Sequence, residues 1–435
     1  MEQREAGRLL CDILSGRTVP ESGLEALSSA DRESLVEWAL RFKVGGLLHR
    51  VLKSHGGLIP PNSRNKLRDA YRNTATTNTS LFSEASKVLK SLTDNRLPVI
   101  ALKGLSLAHR IYGDIALRPM SDIDLLLNEK DLVGAGRILL ALGYRQYFPD
   151  WERLTKIYHH LPPFKNNNGT MIELHWNIVP PDTPIKVDLA GLWERSRLIE
   201  MDHLAVRVLS PEDLFLHLCI HAGLQLQNGL DLIPFCDLSG LIKAFEDPID
   251  WPIVIERAAR WGGRKCAYLM LLLVRELLGT APPDQILSEL KPVDYQAAYF
   301  DEALEQLLDI SLEIFSTALY GPEVNPPARP IAATIGRLSR IKKAKGIKGR
   351  GSALLRKAFP PRETLASKYP VSISSPKIYL CYLYRLGHLI VFYMRVLLRI
   401  CRRDPSVIKE VHQARRASEV SDWMFSPGSA PGNRS

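Results

Sequence analysis

The chain has 435 residues, 46% of them hydrophobic, and a formal net charge of +10. Such a length accommodates two or three domains, and the apolar content builds a sizeable core, so a disordered or fibrous chain is excluded. Six cysteines, at 11, 219, 236, 266, 381 and 401, include no C-x-x-C pair, which excludes a disulfide framework or zinc ribbon and fits a reducing cytoplasm.

The N-terminus, "MEQREAGRLLCDILSG", is charged and amphipathic and lacks the apolar run of a signal peptide. Residues 1–95 read as a helical region. Apolar residues recur at helical spacing in "GRLLCDILSG", "LVEWALRFKVGGLLHRVLK" and "NTSLFSEASKVLKSLTDN". Pro and Gly separate them, as in "HGGLIPPNS".

The pattern changes near residue 97. "LPVIALKG" is a short apolar run entering a Lys-Gly turn, and "LSLAHRIYG" is helical. "SDIDLLL" alternates and then turns apolar, as a strand does. "EKDLVGAGRILLALGY" is an amphipathic helix, and "TMIELHWNI" is a further strand. This order predicts an α+β fold, with a small mixed-sheet core over 96–180 between helical regions.

A helical region is expected over 181–330. "LSPEDLFLHLCIHAGLQL" opens with Ser210 as N-cap, Pro211 at the first helical position and acids in the first turn. A last region, 331–435, holds "RLSRIKKAKGIKGRGSALLRK" at 337–357, with nine basic side chains and no acid. Such a run is a solvated face or contacts RNA, anionic lipid or an acidic partner. The apolar stretch 377–401 contains Arg385, His388 and Arg395, which favour a packed or interfacial helix over a membrane span. The final "FSPGSAPGNRS" has the composition of a disordered tail.

The chemistry concentrates around Asp122 and Asp124. In a strand, positions two apart share a face, so these two carboxylates point one way while Ile123 and Leu125 point into the core. They lie within roughly 7 Å of each other along the strand. Two anions that close repel and resist desolvation, and a divalent cation offsets both costs. The plain alternative is a turn cap at Asp122 and an exposed strand edge at Asp124. Upstream, the Lys103-Gly104 turn precedes a helix whose N-terminal amides form an anion site, with Lys103 as an added point charge or simply a surface lysine. Arg118 can grip a phosphate bidentately or pair with an aspartate and fix its loop. On the next strand Glu173 and His175 share one face, so Glu173 can complete a three-carboxylate site and draw a proton, or simply face solvent. His217 and His221 have a zinc-compatible spacing, yet without a third ligand nearby they read as core histidines.

Together, "LKGLSLAHRIYGDIALRPMSDIDLLL" and "IELHW" resemble the bacterial uncharacterised nucleotidyltransferase family of the DNA polymerase beta-like nucleotidyltransferase superfamily. That family is typified by L-K-G-x-x-L-A, Y-x-D-x-x-x-R-x-x-x-D-I-D-L and [DE]-L-H-W. The likeness continues through "LSPEDLFLHLCIHA", "CDLSGLI" and "IDWPIVIERAARWG", spanning most of residues 1–290 in order. It implies a nucleotidyltransferase core in which Asp122, Asp124 and Glu173 bind magnesium, with two ions expected. Lys103, Gly104, Ser106 and Arg118 would contact the nucleotide, and His175 the substrate. The implied reaction moves a nucleoside monophosphate from an NTP to an acceptor hydroxyl on a small molecule, a protein or an RNA end. Where the superfamily has Gly-Gly or Gly-Ser at the phosphate turn, this chain has Leu105 after Gly104, with Ser106 next. That departure supports an alternative, a catalytically silent nucleotide-binding regulatory module. Either version is expected in the cytoplasm, with peripheral attachment at the inner membrane through the C-terminal region as a further reading.

Overall fold

The computed structural model describes residues 3–17, 20–146, 158–201, 204–226, 231–244, 248–308, 375–401 and 405–426, together with 359, 362 and 365. The basic run 337–357 and the tail beyond 426 lie outside the described residues. Two compact units are present, one built from 1–225, 229–309 and 423–435, the other from 226–228 and 310–422.

The first unit begins with α1 (Gln3–Ser15), α2 (Pro20–Glu25), α3 (Ser29–Arg41) and α4 (Gly45–Leu52). Ser28 caps α3 by accepting from the Asp31 amide. A 34-residue helix follows, α5 (Pro61–Asp94), with proline at its start, where a missing N–H costs nothing. Its last four turns bury Leu81, Phe82, Ala85, Val88, Leu89 and Leu92 against the sheet.

The sheet interleaves with short helices: β1 (Ile100–Ala101), α6 (Lys103–Arg110), β2 (Ile123–Leu126), α7 (Leu132–Ala141), β3 (Phe164–Lys165), β4 (Met171–His175), α8 (Leu189–Arg195), β5 (Arg197–Met201) and β6 (Leu204–Val208). Six strands run in the order β3-β4-β2-β1-β6-β5. β2 pairs in parallel with β4 and antiparallel with β1, which itself runs parallel to β6. The outer pairs β3–β4 and β5–β6 are antiparallel. Ile123 and Leu125 from β2, Ile172 and Leu174 from β4, and Val206 and Val208 from β6 form the hydrophobic face with α5 and α7. The mixed α+β architecture is therefore the expected one, with helices flanking a mixed sheet.

One expectation needs correction. The sheet does not finish at residue 180, because β5 and β6 add two strands through Val208, where only helices were anticipated. Val206 and Val208 alternate toward the core as a strand should, but β5 is largely exposed and carries Arg197 and Glu200, so its apolar pattern is faint. Residues 1–95, 181–225 and 229–309 share one compact unit with the core.

After the sheet come α9 (Pro211–Gln225), α10 (Ile233–Lys243), α11 (Trp251–Trp261), α12 (Arg264–Leu278), α13 (Asp284–Leu290) and α14 (Ala297–Leu308). The start of α9 is as read, with Ser210 Oγ accepting from the Asp213 amide at 3.3 Å. Its first-turn acids do more than meet the helix dipole. Asp213 is fully buried, with Arg195 Nε and Arg257 Nη1 each 2.9 Å away.

In the second unit, α15 (Ile378–Cys401) contains the long apolar stretch. No helix among the described residues is long and apolar enough to cross a membrane.

Candidate functional site

The parallel pairing of β2 with β4 sets Asp124 directly beside Glu173. Since both strands bury their alternate residues in the core, Asp124, Glu173 and His175 come together on the opposite face. His175 Nε2 lies 3.1 Å from Asp124 Oδ1 and 3.4 Å from Glu173 Oε2. The three offer ligand atoms within 4.8 Å of one another, a spacing that one metal ion can bridge. Asp124 and His175 are buried and Glu173 is partly open.

The turn after β1 grips Asp124 twice. The Leu102 amide donates to the Asp124 backbone carbonyl at 3.0 Å, and Lys103 Nζ stands 3.3 Å from Asp124 Oδ2. Lys103 itself has a φ of +29°, a strained value for a side-chain-bearing residue and one that costs about 1–3 kcal/mol. These two bonds hold it there. The side chain expected to reach a phosphate is thus paired with a carboxylate in the protein alone.

Burial by itself would raise the Asp124 carboxyl, but the Lys103 ammonium and the His175 hydrogen bond overcome it and hold the group well below the usual carboxylate range. Asp122 behaves oppositely. It precedes β2 and is half-buried, and burial followed by the charges of Asp124 and Glu173 pushes its carboxyl up. Burial disfavours the His175 cation, yet hydrogen bonds to Asp124 and Glu173 raise the imidazole above its ordinary value. His159, 5.4 Å from His175 between ring centroids, is pushed down to about 3 by burial and then by His175, His160 and Lys103.

Arg118 takes the structural alternative. Its Nε and Nη2 bond the two oxygens of Asp237 on α10 at 2.9 and 2.8 Å, and Tyr112 donates to the same carboxylate at 2.7 Å. The Arg118 carbonyl accepts from Asn78 of α5 at 2.8 Å. A guanidinium this deeply buried needs a full counter-charge, and Asp237 supplies it, so the bidentate fork is closed to a phosphate. Gly104 serves packing: a Cβ there would meet Met120 Sδ at 2.9 Å and Arg118 Nη1 at 3.4 Å. Ser106 is buried, with no partner for its Oγ among the described residues. Leu105, at the position of the departure, is part of the core.

His217 is buried in α9 and has no hydrogen-bond partner among the described residues. Its imidazole is held well below its ordinary value by burial, then by Lys103, His221 and His175. The helix therefore sets His217 and His221 near the Asp124 carboxylate. The residue that sequence reasoning undervalued is His175. Its placement on the Glu173 face was legible, whereas its distance to Asp124 depended on the β2–β4 register.

The class defined by this sheet and carboxylate face is a nucleotidyltransferase fold. Residues 28–279 match the family described as uncharacterised nucleotidyltransferase, more than half of the chain, and the chain belongs to that family. No curated protein matches it.

Proposed function

We propose that the protein transfers a nucleoside monophosphate from an NTP to an acceptor hydroxyl, using a divalent cation held at the β2–β4 face. The observation that carries this reading is the meeting of Asp124, Glu173 and His175 at bonding distance, with Asp122 close enough to raise the local negative charge. Such a set fits a divalent ion: carboxylate oxygens at its rim, one face partly open, and like charges in want of a counter-ion. A bound divalent ion, with two the number the resemblance implies, would polarise the reacting phosphoryl group and stabilise the departing pyrophosphate.

The chain's own residues do the rest. Asp122 and Asp124, at the start of β2, would hold the cation charge. Glu173, the more open of the two paired carboxylates, accepts the proton of the attacking hydroxyl. Lys103, paired with Asp124 at 3.3 Å, would add its positive charge beside the nucleotide phosphates. Arg118 keeps the Asp114–Met120 segment in place through Asp237 and does not bind the nucleotide directly.

A second reading, nucleotide binding without turnover, draws on Leu105 in the core and on the closed Arg118 fork. One experiment separates the two. Full-length protein is incubated with each α-labelled NTP and a divalent ion, with and without cell extract, beside an Asp122→Asn/Asp124→Asn double variant. Label carried to a protein, RNA or small molecule by wild type alone supports transfer and identifies the acceptor class. NTP binding with no label under any condition favours the silent module, and absence of NTP binding overturns both.

A further inference from the structure

We propose that His175 is itself a metal ligand, so that Asp124, Glu173 and His175 make a mixed nitrogen–oxygen site that prefers a transition-metal ion such as Mn²⁺ over Mg²⁺. The inference rests on the cation-dependent reading above and specifies which ion that site selects.

Geometry carries it. Two donors at adjacent corners of an octahedron with bonds of about 2.1 Å are separated by about 3.0 Å. His175 Nε2 stands 3.1 Å from Asp124 Oδ1 and 3.4 Å from Glu173 Oε2, so all three atoms already surround one point. The arrangement is fixed by the backbone: Glu173 and His175 are two apart on β4, and Asp124 is the in-register partner of Glu173 on β2. Lys103 holds the other Asp124 oxygen, so Oδ1 is the one that meets His175. His175 Nδ1 is buried with no partner among the described residues, so nothing there pins the tautomer. The ring can present Nε2–H to the two carboxylates or its Nε2 lone pair to an ion.

Donor chemistry then selects the ion. Mg²⁺ favours an all-oxygen octahedron and retains its waters, whereas an imidazole beside two carboxylates suits first-row transition metals. A purely carboxylate site would have had no reason to bury an imidazole between its acids. Asp122 lies outside this trio and remains for a second ion or a bound nucleotide's counter-ion.

Mn²⁺ tests the idea directly, because imidazole nitrogen bound to it produces a ¹⁴N modulation in its electron spin echo. Full-length protein is loaded with Mn²⁺, alone and with a non-hydrolysable triphosphate analogue, beside His175→Gln and His160→Gln. The second variant matters because His160 Nδ1 is 3.7 Å from Glu173 Oε2. We expect nitrogen modulation in wild type and His160→Gln and none in His175→Gln. Mn²⁺ affinity should fall about 100-fold in His175→Gln while Mg²⁺ affinity changes little. Bound Mn²⁺ without nitrogen modulation in wild type overturns the inference and leaves the carboxylate site and transfer reading standing. Modulation lost with His160 and retained without His175 also overturns it. If no Mn²⁺ binds in either condition, the cation site itself fails. The wild-type spectrum decides the matter even should His175→Gln fold poorly.

Discussion

Two clusters of buried charge flank the Lys103–Gly104 turn, and they are built on opposite principles. On one side Arg118 meets Asp237 through two hydrogen bonds, with Tyr112 on the same carboxylate: one cation, one anion, and few lone pairs left over. On the other, Asp124 and Glu173 face Lys103 and His175 at contacts of 3.1 to 3.4 Å, with the charge of Asp122 beside them. The first cluster matches one buried cation to one buried anion. The second has surplus negative charge and one partly open acid, and its acids are pulled apart in acidity, with Asp124 held down and Asp122 pushed up. A completed buried pair fixes a backbone segment, whereas an incomplete one has the charge and donors to accept an ion. The Asp213 cluster, with Arg195 and Arg257 at 2.9 Å, repeats the completed type at the start of α9.

The contrast is sharpest in activity. Asp124→Asn removes a carboxylate from the incomplete cluster, and label transfer is expected to fall at least about 1,000-fold, or roughly 4 kcal/mol of transition-state stabilisation. Asp237→Asn should leave nucleotide binding near wild type wherever the protein remains folded. Comparable activity losses in both variants, at equal folded fraction, would break the distinction.

Stability should respond in the reverse order. Asp237→Ala strands the Arg118 guanidinium in the interior, and removal of one partner of a buried pair costs about 3–5 kcal/mol. Denaturant unfolding followed by circular dichroism measures it. A loss below about 1 kcal/mol would mean that Arg118 finds another anion or water, and that its fork is less closed than the 2.8 and 2.9 Å contacts suggest.

How far the sequence discloses this contrast depends on the range of each interaction. Strand alternation is local, so Asp124 opposite Ile123, and Glu173 with His175 opposite Leu174, could be read without a structure. The family resemblance then identified the carboxylates as a group. Pairings across the chain could not be read in this way. Arg118 and Asp237 are 119 residues apart, and both readings of Arg118 were equally compatible with its neighbours in the sequence. The edge strand β5 was missed because its exposed face carries charge in place of a regular apolar alternation. His175 was recognisable as a site residue, but its role as a ligand depends on the β2–β4 register, which only the folded sheet specifies.

The smallest expected effect is also the most diagnostic in sign. In the metal-free protein burial and the charges of two neighbouring carboxylates raise the Asp122 carboxyl above its ordinary value. A carboxyl whose acidity is weakened by folding lowers stability above its unfolded-state value, so the shift is a cost present at neutral pH and lost as pH falls through the carboxylate range. Asp122→Asn removes that cost. The variant without metal should be more stable than wild type by about 0.5 kcal/mol at pH 7, and the difference should vanish near pH 3. Adding a divalent ion should reverse the order, because wild type gains about 2.7 kcal/mol at an ion concentration 100 times its dissociation constant and the variant gains less. Paired melts with chelator and with ion read both signs. A variant less stable than wild type even with chelator would show that Asp122 holds the turn before β2 together, and would move it from the incomplete cluster to the structural one.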